Sequence, residues 1–141
     1  MLMELCEGKP SKLIELAMKD LALCEKTPGL QVNMYVWLSN SVNTPTVCKV
    51  CLAGAVMYQS LGIRPRSGRE MMPMHCDTAE KPLESLNYFR NGRLADAFHA
   101  FGIEHPSGLP RRIAVTDYHE NADLFRRDMQ ALVKTLAAAG V

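Results

Sequence analysis

The chain has 141 residues, of which 48% are hydrophobic and 22% charged, and its formal net charge is +1. This length and composition are those of a single globular domain, 1–141, that can bury a core without disulfides or metal ions. The near-neutral charge argues against nucleic-acid binding by general electrostatic attraction, because such domains are usually strongly basic.

The sequence contains neither a basic leader followed by an apolar run nor a stretch of roughly 20 apolar residues, so neither a signal peptide nor a membrane helix is predicted. We therefore expect a cytoplasmic protein. Five cysteines, an odd number, predict thiols rather than disulfides in that reducing compartment.

The first helix is predicted from Ser11 to about Glu25. Ser11 follows Pro10 and can cap free amide groups, and the apolar residues after it recur at helical spacing. Residues 31–38 then alternate apolar and amphipathic side chains, a pattern that predicts a β-strand. Residues 39–43 have the composition of a turn.

The stretch 44–63, TPTVCKVCLAGAVMYQSLGI, is predicted to form a central helix over about 46–61. Thr44 and Pro45 are typical of a helix start, and Gly62 is typical of a helix stop. The residues between them leave almost no polar face, and a helix that is apolar all round is buried. We expect the first and last helices to cover it, and a homodimer is a second way to do so.

The remainder alternates irregular segments with helices. Residues 64–77 predict one long loop with three arginines and two prolines, and loops of this length are often functional. Helices are predicted over 82–91, 93–101 and 121–139, and a short strand that can pair with 31–38 is predicted over 113–116. The fold class expected is α+β and mainly α, with about five helices around the buried central helix and a two-stranded β ribbon.

Arginines concentrate on the predicted loops and beside the Asn91-Gly92 turn. If the loops converge, they form a basic patch suited to an acidic protein surface, a phosphate or a nucleotide. Neighbouring methionines add polarizable apolar area of the kind that binding surfaces use. The candidate binding residues are Arg64, Arg66, Arg69, Met72, Arg90, Arg93, Arg111 and Arg112. Solvated loop charge is the alternative interpretation.

Cys48 and Cys51 form a CxxC pair, with His75 and Cys76 downstream. Such ligands suit tetrahedral zinc, and a dithiol at a helix N-terminus suits redox chemistry. The pair falls inside the predicted central helix, whereas zinc pairs usually occupy tight turns and thioredoxin-like pairs follow a strand. Buried thiols are therefore the favoured interpretation. The sequence predicts no cofactor, and it contains no GxSxG, HExxH or Walker motif.

Two stretches, VCKVCLAGAVMYQSLG and the tail from LNYFRNGRLADAFHAFGI through VTDYHENADLFRRDMQALVKTLAAAGV, resemble small proteins encoded by bacteriophages and prophages. The resemblance carries no catalytic residue. It implies an accessory protein in the host cytoplasm that binds host machinery, for example to inhibit a defence system. The sequence thus predicts a non-enzymatic protein that binds a host protein or a small anionic ligand. A zinc- or thiol-dependent protein and a protein that sequesters a nucleotide signal are the alternatives.

Overall fold

The computed structural model describes residues 1–40, 47–66, 68–75, 82–86, 98–99, 101 and 118–141. These residues form a mixed α/β fold in which helix predominates. The helices are α1 (Leu2–Leu5), α2 (Pro10–Lys26), α3 (Leu52–Gln59) and α4 (Ala122–Ala138), and residues 82–86 are also helical. The strands are β1 (Leu30–Val32), β2 (Leu38–Asn40), β3 (Cys48–Val50) and β4 (Glu70–Met71), and a 3₁₀ turn spans Pro73–His75.

The two long helices form where the apolar periodicity predicts them. Helix α2 confirms the prediction for Ser11 to Glu25 and is one residue longer at each end. The prediction that Ser11 caps it is wrong, because the helix begins at Pro10, where the missing N–H costs nothing, and its N-cap Lys9 forms no side-chain cap. Helix α4 confirms the prediction for 121–139. The side chain of Asn121 accepts a hydrogen bond from the Leu124 N–H at 3.1 Å and thereby caps that helix.

A four-stranded sheet with the order β1-β3-β2-β4 takes the place of the predicted two-stranded ribbon. Strands β1 and β3 are parallel, and β2 lies antiparallel to both β3 and β4. Leu38 of β2 pairs with Val50 on one side and with Met71 on the other. The strand predicted over 113–116 lies outside the described residues.

The prediction of one continuous strand over 31–38 is wrong, because the chain turns between β1 and β2. The side-chain oxygen of Asn33 accepts a hydrogen bond from the Tyr35 N–H at 2.9 Å, and the Asn33 carbonyl accepts one from Val36 at 3.4 Å. Asparagine turns of this kind replace the hydrogen bonds of a strand. The turn reverses the chain, so that β2 runs antiparallel to β3 whereas β1 runs parallel to it.

The prediction of a helix over 46–61 is wrong in its first part, because β3 occupies Cys48–Val50 and α3 begins only at Leu52. Strand pairing on both sides of β3 outweighs the local helical pattern. Residues 52–57 are buried, and the predicted stop is confirmed by Gly62, whose φ of 67° is left-handed.

Helix α2, rather than α3, lies where the main elements meet. It packs against α3, α4 and β1. The last helix therefore packs mainly against α2, and the prediction that it covers the central helix is not confirmed. The arrangement buries side chains of α2, α3, α4 and the sheet in one core. None of the helices in the described part of the chain has the length and hydrophobicity that a bilayer crossing requires.

Helix α3 lies close against the backbone of the residue before β2. A Cβ atom on Gly54 would lie 1.5 Å from the carbonyl oxygen of Trp37 and 2.7 Å from its carbonyl carbon. The same oxygen accepts a hydrogen bond from the Cys51 N–H at 3.1 Å. The glycine is therefore required because main chain, which cannot rotate away, occupies the space of its missing side chain.

We predict that Gly54→Ala destabilises the protein by more than about 3 kcal/mol, as overpacking against fixed atoms does. The sign of the change in unfolding free energy is informative, because a glycine-to-alanine substitution at an open position inside a helix stabilises by roughly 1 kcal/mol. Urea unfolding followed by circular dichroism measures the change. Gly62→Ala is the control, since open space surrounds Gly62 and only its positive φ opposes the substitution. Equal losses in the two variants would contradict the packing argument.

A buried carboxyl joins α2 to the end of α3. Asp20 is 3% exposed and accepts a hydrogen bond from the hydroxyl of Ser60. Burial raises the pKa of Asp20, and the hydrogen bond from Ser60 and the charge of Lys19 oppose that rise. The folded protein therefore binds the Asp20 proton more tightly than the unfolded chain does.

The raised pKa predicts that the contribution of Asp20 to stability is greatest at acidic pH and falls as the pH rises through its folded-state pKa. In Asp20→Asn the amide oxygen still accepts from Ser60 but no charge is buried. We expect this variant to melt at a higher temperature than the wild type at pH 7 and at the same temperature near pH 3. Thermal melts across this range test the prediction, and a uniform shift at every pH would contradict it.

Candidate functional site

The segment predicted as one long loop contains a tight turn that carries two of its arginines. The Arg69 N–H donates to the Arg66 carbonyl at 3.1 Å, and Gly68 adopts a positive φ of 72°. The Gly68 N–H donates to the Asn40 carbonyl at 3.1 Å, which fixes the turn to the end of β2. We call the turn that Arg66, Gly68 and Arg69 form the arginine turn. It places its two guanidinium groups at either end of an anchored piece of backbone.

Beside the arginine turn lies a recess of about 280 Å³, lined by Arg66, Arg69, Glu70 and Met71. Both arginines are exposed, and within the described part of the chain neither guanidinium forms an ion pair. The carboxylate of Glu70 instead accepts a hydrogen bond from the Trp37 N–H at 2.8 Å. The recess therefore combines two cationic groups with one carboxylate that the backbone already holds.

Large apolar side chains reach solvent on the segments that flank this recess. Met72 is 37% exposed and Met74 is 62% exposed, directly after β4. Tyr35, in the turn before β2, is 72% exposed and stacks on His119 with ring centroids 5.3 Å apart. The Nε2 atom of His119 accepts a hydrogen bond from the Met34 N–H at 3.0 Å, which fixes this ring pair to the turn.

Arg64 differs from the other two loop arginines, because it stabilises the end of α3. Its guanidinium carbon lies 3.8 Å from the centre of the Tyr58 ring. One of its nitrogens donates to the carbonyl oxygens of Tyr58 at 2.7 Å and Ile63 at 3.1 Å. The structure thus brings Arg66 and Arg69 together at the recess and assigns Arg64 to the scaffold.

The other predicted arginines, Arg90, Arg93, Arg111 and Arg112, lie outside the described residues. Sequence reasoning did not select Glu70, and it counted Met71 only among the neighbouring methionines, although both residues line the recess. The glycine in the sequence Arg66-Ser67-Gly68-Arg69 was the available signal, since glycine between polar residues is typical of a tight turn.

The CxxC pair spans a strand and a helix cap instead of lying inside a helix, which corrects the prediction. Cys48 is on β3, and the buried sulfur of Cys51 accepts a hydrogen bond from the Gly54 N–H at 3.4 Å, which caps α3. Burial raises the pKa of Cys48 to about 11, and burial also raises the pKa values of Cys6 and Cys24. These three thiols are protonated near neutral pH and are therefore weak nucleophiles and weak ligands.

A metal site that includes the CxxC pair is not formed by the described residues. Among them, no group of three or more histidine, cysteine, aspartate or glutamate side chains is arranged to hold a metal ion. Of the four predicted ligands, Cys76 and the side chain of His75 lie outside the described part. The zinc alternative therefore stays a prediction that the geometry of Cys48 and Cys51 does not favour.

Comparison of the chain with protein-family models, curated proteins and solved structures gives no significant match. The interpretation of the site therefore depends on its geometry and chemistry.

The different roles of the loop arginines can be tested by single substitutions. We predict that Arg64→Ala destabilises the protein by about 1 kcal/mol, because it removes the ring contact and two hydrogen bonds at an exposed position. Arg66→Ala and Arg69→Ala should each change stability by less than about 0.5 kcal/mol. Urea unfolding of the three variants gives the comparison. A loss at Arg66 or Arg69 as large as that at Arg64 would contradict these assignments.

Proposed function

We propose that the protein acts without catalysis, as a binding protein whose arginine turn captures an acidic segment of a partner protein. The observation that carries the proposal is the pair of guanidinium groups that the anchored turn presents beside a recess. Arginine binds carboxylates through two parallel hydrogen bonds, and a fixed backbone reduces the entropy lost on binding.

The chemistry of the recess favours a carboxylate-bearing partner. Each guanidinium group is planar and carries five N–H donors, so Arg66 and Arg69 together supply ten. Among the described residues that line the recess, Glu70 has the only carboxylate, which is already hydrogen-bonded to Trp37, so these residues together carry a net positive charge. An acidic side chain or an acidic chain terminus is therefore the complementary group.

The exposed apolar residues favour a protein partner over a small anion. Met72 and Met74 follow β4 directly, and Tyr35 lies two residues before Trp37, the hydrogen-bond partner of Glu70. These exposed side chains offer contact area that a phosphate would leave uncovered. Interfaces typically place apolar and aromatic side chains beside a few arginines. In the phage-type interpretation of the sequence, the partner is a host protein that is bound stoichiometrically, for example a component of a defence system.

We predict that the double variant Arg66→Ala, Arg69→Ala loses the partner while keeping its fold. Immobilised wild-type and variant proteins are incubated with host lysate, and retained proteins are identified by mass spectrometry. The amount of partner retained by the double variant should be lower than that retained by the wild type by about tenfold or more, because two charge-assisted contacts are removed. Replacing both residues by lysine should restore only part of the binding, because lysine keeps the charge but not the planar donor pair.

The matched control removes two exposed positive charges elsewhere, by Lys26→Ala on α2 and Arg127→Ala on α4. It should retain the partner as the wild type does, which separates local recognition from overall charge. Equal retention by the wild type and the arginine-turn variant would remove this site from the mechanism. A thermal shift with a nucleotide, lost in the same double variant, would support the nucleotide-sequestering alternative instead.

A further inference from the structure

The paired helices α2 and α4 form a second surface, distinct from the arginine turn. Both helices have 17 residues, and a groove of about 350 Å³ runs between them. Its lining residues are Glu15 and Met18 of α2 and Gln130, Val133 and Lys134 of α4. Met18 and Val133 are only half-buried, so their apolar side chains form the floor of the groove.

Among the described residues that line this groove, the two charged ones have opposite signs and lie on different helices. Glu15 and Lys134 are both exposed. The Nζ atom of Lys12 lies 3.5 Å from the Oε2 atom of Glu15 on α2, and an exposed ion pair of that kind contributes little to stability. Within the described residues Lys134 has no ion pair. The groove thus carries one unpaired positive charge and one weakly paired negative charge.

We infer that this α2–α4 surface binds a second copy of the chain, related by a two-fold axis. Under that symmetry the same patch faces itself, and Glu15 of each copy can lie opposite Lys134 of the other copy. Two helix pairs then form a four-helix layer, with Met18 and Val133 enclosed between them. Each 17-residue helix is about 25 Å long at 1.5 Å per residue, which is enough for several layers of side-chain contacts.

The charge pattern favours a second copy over other occupants. A small anion that approaches Lys134 also meets Glu15, and a small cation that approaches Glu15 also meets Lys134. A partner that presents one acid and one base in the same arrangement pairs both, and a two-fold copy of this surface has that arrangement by symmetry. The proposal is independent of the arginine turn, because none of its residues lines the recess beside that turn.

Charge-reversal variants test the pairing through sedimentation velocity over a micromolar concentration series. The wild type is expected to dimerise, and Glu15→Lys or Lys134→Glu alone should weaken the dimer by about tenfold or more, because like charges then face each other. An equimolar mixture of the two single variants should recover the dimer, since every lysine of one copy faces a glutamate of the other. The double variant Glu15→Lys, Lys134→Glu should also recover it.

The control is Arg127→Glu, which reverses an exposed charge of α4 outside the groove and should leave the dimer intact. Circular dichroism of every variant confirms that the helices are retained. A wild type that sediments as a monomer at the highest concentration would overturn the proposal. It would also be overturned by single variants that dimerise like the wild type, or by a mixture that stays monomeric when each variant is folded.

Discussion

The rest of the described structure depends on the contacts that the backbone N–H and carbonyl groups of Trp37 form. The carbonyl oxygen accepts the Cys51 N–H and lies against Gly54, so it fixes the start of α3. The N–H donates to the carboxylate of Glu70, so it fixes β4. Since the arginine turn is continuous with β4 and is hydrogen-bonded to the end of β2, the position of α3 determines where the two exposed guanidinium groups lie.

The same junction positions the two cysteines of the CxxC pair. Cys51 caps α3 with its sulfur, and redox chemistry at such a helix start requires a thiol that solvent and substrates can reach. It is 1% exposed, and Cys48, on the preceding strand, has a pKa raised to about 11 by burial. A strand–CxxC–helix arrangement is therefore present, but the Cys51 thiol is buried and the Cys48 thiol has a raised pKa, whereas reactive cysteines are accessible thiols of low pKa.

Local signals made part of the fold predictable, and pairing between distant residues made the rest unpredictable. Asn121 caps α4 and Gly62 ends α3 as expected, because caps and stops act within a few residues, whereas Ser11 lies inside α2 and does not cap it. The helical pattern at Cys48–Val50 gave way to sheet pairing on both sides, which the pattern itself cannot report. The three loop arginines looked equivalent in sequence, yet the ring of Tyr58, six residues before Arg64, makes that arginine part of the scaffold.

The near-neutral charge places a physical limit on how the proposed partner is recognised. With a net charge of +1, long-range attraction is weak, and at physiological ionic strength charges are screened over about 8 Å. Recognition must then come from groups already held in position at short range. The arginine turn meets this requirement, because its backbone is fixed at Asn40 and its neighbouring carboxylate is occupied by Trp37. Added salt should therefore slow association with an acidic partner less than it does for strongly basic proteins, and binding should depend on the planar geometry of the guanidinium groups more than on their charge alone.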